Sequence, residues 1–307
     1  MPHEPLAFFN GRLVPLKEAN VNIATHAFNY GTGVFEGLRA YWNPAQRELY
    51  LVQPGPHYER LWRSSRVLHI DIPYRVEELI EWTVELLRAN RFEEDVYIRP
   101  LAYKADMAIK VGLSGIKSAF AMYAVPMGDY VSTRGIRVQV SSWRRIADNM
   151  IPSRAKVTGA YVNAALSSEQ AKMDGYDEAI LLTDGGQVAE ASSSNLFMVR
   201  RGVLVTPPVT EDILEGITRD LVMEVARDHD IPVVERPIDR TELYSADELF
   251  LCGTGVQLAA VVEVDRRPVG AGEAGPITRT LQDAYMALVR GEAPRYRRYV
   301  VPVYGRQ

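Results

Sequence analysis

The pattern of apolar and polar positions changes period several times along this 307-residue chain, and each change marks an element. Ala7-Phe8-Phe9 and Arg12-Leu13-Val14 flank Asn10-Gly11, a pair suited to the positive φ of a tight turn, so the chain opens on a β-hairpin. Leu49-Tyr50-Leu51-Val52 is a further short strand. Pro54-Gly55-Pro56 punctuates before a helical stretch carrying Tyr58, Leu61, Ser65 and Leu68. Between Glu77 and Asn90 the apolar positions Leu79, Ile80, Val84, Leu86 and Leu87 suit a partly buried helix. Val96 to Tyr103 and Ala119 to Val125 are rich in strand formers, which makes residues 1–126 an α+β unit.

Met127 to Gly135 is mostly polar and glycine-punctuated, and a fresh strand, Ile136 to Val140, follows it directly. The domain boundary is placed in this linker, 127–135, with residues 136–307 as a second domain. That domain opens with a polar loop around Ile151-Pro152-Ser153 and a helix from about Gly159 to Met173. Ala179 to Leu182 and Gln187 to Ala189 form a hairpin across Asp184-Gly185-Gly186, and Asn195 to Val199 and Val203 to Val205 are short strands. A helix after Gly216, strands near Val233, Glu248 to Leu251 and Val261-Val262, and a helix from Ile277 to Val289 complete it. The tail Arg295 to Tyr299 is basic and aromatic, suited to packing or to a frayed end.

Composition narrows what such a chain does. About half of the residues are apolar, enough for a full core, and a formal charge of -4 leaves no basic footprint for nucleic acid. No apolar run approaches the ~20 residues of a membrane span. The first residues lack the basic start and apolar stretch of a signal peptide, and Cys252 is the only cysteine, so an internal disulfide is excluded. Both features fit a reducing cytoplasm. The five histidines are scattered, with no metal-ligand spacing, and Gly31-Thr32-Gly33 lacks the full dinucleotide fingerprint.

Lysine is confined to positions 17, 104, 110, 117, 156 and 172, so an amine nucleophile has few candidates. Lys156 stands in Ser153-Arg154-Ala155-Lys156-Val157-Thr158-Gly159, a polar, small-residue stretch able to bring an amine into a cleft. Read alone, it is a solvated surface lysine. Glu190 follows a predicted hairpin strand and precedes Ala191-Ser192-Ser193-Ser194-Asn195, which reads equally as a capping or turn segment. Gly216-Ile217-Thr218-Arg219-Asp220 begins a helix whose free N–H groups and dipole favour an anion, although an ordinary helix start has the same wording. Cys252-Gly253-Thr254-Gly255 is a second loop of exposed N–H groups, or a plain turn.

Several longer stretches carry more. Tyr30-Gly31-Thr32-Gly33-Val34-Phe35-Glu36-Gly37, Tyr97-Ile98-Arg99-Pro100-Leu101, Ala155-Lys156, Ser194-Asn195-Leu196-Phe197, Leu204 to Pro208 and Gly216 to Asp220 occur in an order that chance does not supply. Through them the chain resembles the branched-chain amino-acid aminotransferases, fold-type IV pyridoxal-phosphate enzymes, from Phe9 to about Val289. The resemblance implies an α/β (α+β) two-domain architecture, with a small N-terminal α+β domain and a larger β-rich domain binding pyridoxal 5'-phosphate. It implies that Lys156 is the Schiff-base lysine, that Glu190 pairs with the pyridine nitrogen, and that Tyr161 bonds the phenolic oxygen. The phosphate falls to Arg60, Ile217, Thr218 and Thr254, and Ser193, Leu214 and Gly216 also line the cofactor. Tyr97, Thr254 and Gly255 receive the substrate carboxylate, and Arg99 the side-chain carboxylate of glutamate, unless it is a structural ion-pair partner. Phe35 and Tyr161 form the apolar pocket, with Tyr130 on the substrate side and with Tyr30 and Val111 contributed across a homodimer interface. The implied reaction moves the amino group of leucine, isoleucine or valine to 2-oxoglutarate in two half-reactions.

Three stretches depart from the family wording. Ala191-Ser192-Ser193-Ser194 replaces a glycine-rich stretch and is similar to D-amino-acid and (R)-amine members. Met127 stands where many relatives carry tryptophan, and Lys104 to Lys110 lacks the usual small residues. An (R)-amine or D-amino-acid aminotransferase is the alternative on the same fold, with Tyr97-Ile98-Arg99-Pro100 against it. An aminodeoxychorismate lyase fits the aliphatic pocket less well, and retention of both Lys156 and Glu190 argues against a non-catalytic carrier.

Overall fold

Asn10 and Gly11 take φ of 50° and 85°, and the strands Leu6–Phe9 and Arg12–Pro15 pair antiparallel on either side of them. In the computed structural model, which describes residues 4–128 and 135–305, this hairpin is one edge of an eight-stranded sheet. The chain divides into two units. Met1–Gly128, Ala155–Gly159 and Ala287–Gln307 form the first; Asp129–Arg154 and Ala160–Met286 form the second.

The sheet of the first unit runs Val300–Pro302, Glu48–Val52, Leu38–Asn43, Val96–Lys104, Ser118–Pro126, Leu6–Phe9, Arg12–Pro15, and Gly33–Phe35 also pairs with Val96–Lys104. All of these pairings are antiparallel. The long strand Val96–Lys104 alternates strictly, with even-numbered residues buried and odd-numbered ones half-buried. Tyr97 and Arg99 therefore share one face. Helices Pro54–Val67 and Val76–Asn90 belong to this unit, the second burying Leu79, Leu86 and Leu87. Each of those leucines contributes roughly 1.5–3 kcal/mol through burial.

Three features differ from the sequence reading. Pro54 does not precede its helix but begins it, because the missing proline N–H costs nothing in a first turn. The strands Gly33–Phe35 and Leu38–Asn43 and the short helix His26–Tyr30 have no counterpart in the pattern. Gly33–Phe35 is buried on both faces, so it lacks the alternation that announces a strand. The tail does not fray. Tyr296 and Val303 are buried, and Val300–Pro302 pairs with Glu48–Val52.

The second unit holds a nine-stranded sheet in the order Val188–Ala191, Glu178–Leu182, Ile136–Arg144, Gln257–Val264, Glu248–Gly253, Asn195–Arg200, Val203–Thr206, Val233–Glu235, with Arg267–Pro268 beside Gln257–Val264. Two of its parallel pairs are joined by helices: Tyr161–Met173 between Ile136–Arg144 and Glu178–Leu182, and Ile217–Asp228 between Val203–Thr206 and Val233–Glu235. A parallel pair requires such a crossover. Val138, Ile180, Leu196, Met198, Leu249 and Leu251 are among the fully buried residues of its core. Among the described residues, no helix is long and apolar enough to cross a membrane, and no group of three or more His, Cys, Asp or Glu could hold a metal ion.

Candidate active site

The candidate residues fall into two clusters, one in each unit. In the first, residues 155–159 lie alongside residues 31–35. Val157 bridges Val34, Phe35 N–H donates to Lys156 O at 3.1 Å, and Gly159 N–H donates to Gly31 O at 3.2 Å. Gly31 is required at this contact: its φ is +66°, and a Cβ there would meet the Cα of Gly159 at 2.8 Å. Lys156 N–H donates to Ser64 Oγ at 3.0 Å, so the lysine backbone is held from both sides. Its Nζ stands 5.1 Å from the centre of the Phe35 ring. This is no freely solvated surface lysine.

Phe35 also carries Arg99, whose guanidinium carbon is 4.3 Å from the ring centre. Arg99 Nε and Nη2 donate to Tyr97 Oη at 3.2 and 3.0 Å. Gly37 leaves room for that hydroxyl, which a Cβ would overlap. An aromatic face, a guanidinium and a phenol are thus gathered on one patch, which suits an aliphatic chain and a carboxylate together.

Arg60 lies on the Pro54–Val67 helix and is almost wholly buried. Its Nε and Nη2 donate to Glu36 Oε1 and Oε2 at 2.7 and 2.9 Å, and His57 Nδ1 donates to Glu36 Oε2 at 2.8 Å. Burial pushes the Glu36 carboxyl up, but the charge of Arg60 and the bond from His57 outweigh it and hold the group well below the usual carboxylate range. Burial lowers His57 below its ordinary value against the pull of Glu36. Sequence reasoning assigned neither Glu36 nor His57 a role. His57 and Arg60, three apart on one helix, share a face, a signal that was available. The carboxylate they meet sits between the strands Gly33–Phe35 and Leu38–Asn43, and spacing does not announce it.

Tyr30 and Val111 are at the surface of the first unit, in company with Ile23, Phe28, Met107 and Ile109, which is 95% exposed. His26 ties these segments together, its N–H donating to Asp106 O at 2.9 Å and its Nε2 lying 2.8 Å from Lys110 O. Lys104 is buried, its Nζ donating to His69 O and to Ile116 O.

In the second unit, Glu190 is buried on the strand Val188–Ala191. Arg145 Nη2 meets its Oε1 at 2.8 Å, Asn195 Nδ2 donates to Oε2 at 2.9 Å, and Leu214 N–H approaches both oxygens at 3.3 Å. Such converging donors favour the charged form of a carboxylate. Asn195 Nδ2 also donates to Leu214 O at 3.1 Å, and its Oδ1 occupies the space that a Cβ on Gly216 would need. Arg145 is a further residue the sequence did not single out, and nothing local distinguishes it from Arg144.

The helix Ile217–Asp228 starts at Gly216 without a side-chain cap, which leaves its first N–H groups suited to an anion. Ile217 and Thr218 are buried at this start. Thr254 and Gly255 form a half-buried turn between Glu248–Gly253 and Gln257–Val264, and a Cβ at Gly255 would meet nothing within 4 Å. Cys252 is buried, and burial pushes its thiol up, so it is no nucleophile. Tyr161 is the first residue of the helix Tyr161–Met173 and is half-buried. Ser193 is exposed, with Ser192 and Ser194 buried on either side. Tyr130 lies outside the described residues.

The first unit thus presents the Lys156 amine beside Phe35, and the second a donor-clamped carboxylate and an uncapped helix start. Residues 33–264 match the family model of amino-transferase class IV. The chain is 49% identical, over 97% of its length and 96% of the relative's, to a probable branched-chain-amino-acid aminotransferase of Aquifex aeolicus. It is 37% identical to the branched-chain-amino-acid aminotransferase of Escherichia coli K12, over 93% of each. Among solved structures, the branched-chain aminotransferase of Thermoproteus uzoniensis with norvaline superposes with a TM-score of 0.94 at 44% identity, covering 98% of this chain and 99% of that one. A T.th. branched-chain amino acid aminotransferase complexed with N-(5'-phosphopyridoxyl)-L-glutamate gives 0.93 at 38% identity, covering 99% and 100%. The chain belongs to the branched-chain amino-acid aminotransferase family, transaminases of fold type IV.

Proposed function

We propose that this transaminase uses pyridoxal 5'-phosphate to move the amino group of leucine, isoleucine or valine to 2-oxoglutarate in two alternating half-reactions. The observation that carries the reading is the patch of Phe35, Arg99 and Tyr97, where an aromatic wall and a guanidinium stand side by side, the guanidinium carbon 4.3 Å from the ring centre. Leucine needs the first and glutamate the second. The phosphopyridoxyl-glutamate ligand of the T.th. relative supports both the cofactor and the acidic partner.

When bound, the cofactor supplies a protonated pyridine ring that accepts the electron pair left as the substrate α-proton departs. Glu190, kept charged by Arg145 and the N–H donors around it, holds that ring proton. Lys156 would hold the cofactor in the resting enzyme, and its Nζ would carry the proton from and to the substrate α-carbon. Tyr161 donates to the phenolic oxygen. Arg60, Ile217, Thr218 and Thr254 receive the phosphate, beside Ser193, Leu214 and Gly216. Tyr97, Thr254 and Gly255 orient the α-carboxylate, and Tyr130 belongs to the substrate side.

The reading includes a cytoplasmic homodimer in which Tyr30 and Val111 complete the partner's pocket. Ile23, Phe28, Met107, Ile109 and Val111 support it as a group of exposed apolar side chains. Two measurements test the reading. Keto-acid formation from L-leucine and from D-leucine, each with 2-oxoglutarate, is expected with the L-enantiomer alone. Turnover with D-leucine in its place would move the enzyme to the D-amino-acid members of the fold. Analytical ultracentrifugation tests the assembly, and a monomer at micromolar concentration would remove Tyr30 and Val111 from the site.

A further inference from the structure

Arg60 is held with unusual completeness for a residue that meets a ligand. Nε and Nη2 both donate to Glu36, so rotating the guanidinium breaks two charge-assisted bonds at once. Glu36 is itself immobilised. Its side chain has no solvent exposure, His57 Nδ1 donates to Oε2 at 2.8 Å, and Gly37 N–H approaches the same oxygen at 3.2 Å. Its own N–H donates to Pro100 O at 3.0 Å. The neighbours of Glu36 in the chain are Phe35, which carries Arg99 and faces Lys156 Nζ, and Gly37, which makes room for Tyr97. One carboxylate therefore fastens the arginine of the helix Pro54–Val67 to the tripeptide that builds the substrate patch.

Charge alone does not explain this arrangement. A buried carboxylate beside Arg60 cancels much of the attraction the arginine would offer an anion, so a design relying on net charge would omit it. The pair supplies orientation instead. A guanidinium recognises phosphate through a planar fork, and a fork with a fixed plane loses less freedom on binding.

We propose that Glu36 and His57 are positioning residues for the cofactor phosphate: His57 locks the Glu36 carboxylate, and Glu36 locks the plane of Arg60. The inference rests on the assignment of Arg60 to the phosphate under the proposed function. His57 acts as a neutral donor through Nδ1–H, so its replacement leaves the charges of Glu36 and Arg60 in place.

The test compares pyridoxal 5'-phosphate with unphosphorylated pyridoxal, each titrated into the full chain freed of cofactor and followed by absorbance and tryptophan fluorescence. His57→Leu is expected to weaken pyridoxal 5'-phosphate roughly tenfold or more, the size of one lost hydrogen bond to a charged group. Pyridoxal is expected to change less than about twofold. His57→Asn, whose amide can reach the position of Nδ1, should recover most of the loss. Glu36→Asp keeps the charge but withdraws the oxygens, and should also weaken the phosphorylated ligand selectively. This second variant keeps the test decisive if His57→Leu folds poorly. Equal weakening of both ligands in these variants, or weakening of neither, overturns the proposal. Wild-type protein that fails to prefer pyridoxal 5'-phosphate over pyridoxal overturns the phosphate assignment of Arg60 itself.

Discussion

Both units bury a glutamate against an arginine, and the surroundings of the two carboxylates differ in kind. Glu36 is enclosed by Arg60, His57 and the Gly37 N–H, with no exposed side-chain surface. Glu190 is met by Arg145, and its other donors, Asn195 and the Leu214 N–H, adjoin Gly216, where an uncapped helix begins. Removing one partner of a fully buried pair leaves the other charge uncompensated, which costs far more than the pair contributes over an apolar replacement. The first carboxylate is therefore a fastener whose loss is felt in folding. The second is clamped by donors beside an uncapped helix start, and in the proposed reaction its loss is expected in catalysis.

The largest expected effect lies with Lys156, on which both clusters depend in the proposed reaction. Lys156→Ala should lower turnover of L-leucine with 2-oxoglutarate by at least roughly 10²–10⁴-fold, the contribution of a positioned proton carrier alone. Borohydride reduction of the wild-type protein followed by peptide mapping should place the cofactor on Lys156. A label on Lys104 or Lys110 would undo the assignment, and the burial of Lys104 against His69 O and Ile116 O already disfavours it.

Next come the two glutamates, exchanged as a direct test of the contrast. Glu36→Leu should destabilise the protein by roughly 3–5 kcal/mol in urea unfolding, because Arg60 is left buried without its counter-charge. Glu190→Gln should leave the unfolding midpoint much closer to wild type but slow α-proton removal by about two to three orders of magnitude, a few kcal/mol of lost electron-sink strength. If Glu190→Gln unfolds as readily as Glu36→Leu, the contrast collapses.

Acid sharpens the same comparison. The folded-state value of Glu36 is depressed, so its contribution is complete above the ordinary carboxylate range and is lost as pH falls through the lower folded value. His57 is also depressed, so the unfolded chain takes up its proton first and stability falls below the ordinary histidine value. Both groups therefore make the wild type less stable as pH drops from about 6.5 toward 3. Glu36→Leu should flatten the carboxylate part of that slope. An unchanged slope would show that other carboxylates dominate acid unfolding.

What was legible in the sequence follows from how local each signal is. The Asn10-Gly11 hairpin and the alternation of Val96 to Tyr103 are written in adjacent residues, and the structure carries both. Gly33–Phe35 and Leu38–Asn43 escaped because strands covered on both faces show no alternation. The tail strand Val300–Pro302 depends on a partner, Glu48–Val52, from the far end of the chain. Lys156 stands inside a family stretch and Glu190 takes its role from the resemblance as a whole; Glu36 also stands inside a family stretch, Tyr30 to Gly37, but its partner, like those of Arg145 and His57, comes from a distant segment. Apart from the three-residue spacing of His57 and Arg60 on one helix, nothing local marks a side chain whose task is to hold another polar group.

The smallest effect concerns Arg99, and it separates the two substrates rather than the two units. Stacked on Phe35 and bonded to Tyr97, Arg99 has two roles open to it: receiving the side-chain carboxylate of glutamate, or bracing the ring and phenol around it. If it is the receiver, Arg99→Ala should weaken the half-reactions with glutamate and 2-oxoglutarate by roughly 1.5–3 kcal/mol, the range for a hydrogen bond to a charged group. Leucine should lose far less, because its side chain asks only for the apolar wall of Phe35. Single-turnover absorbance changes of the bound cofactor, recorded separately with each amino donor, isolate one half-reaction from the other. A brace would behave differently: with Phe35 and Tyr97 both loosened, glutamate and leucine would decline together. Equal losses would thus assign Arg99 to the architecture of the patch and remove the main structural support for glutamate as the partner substrate.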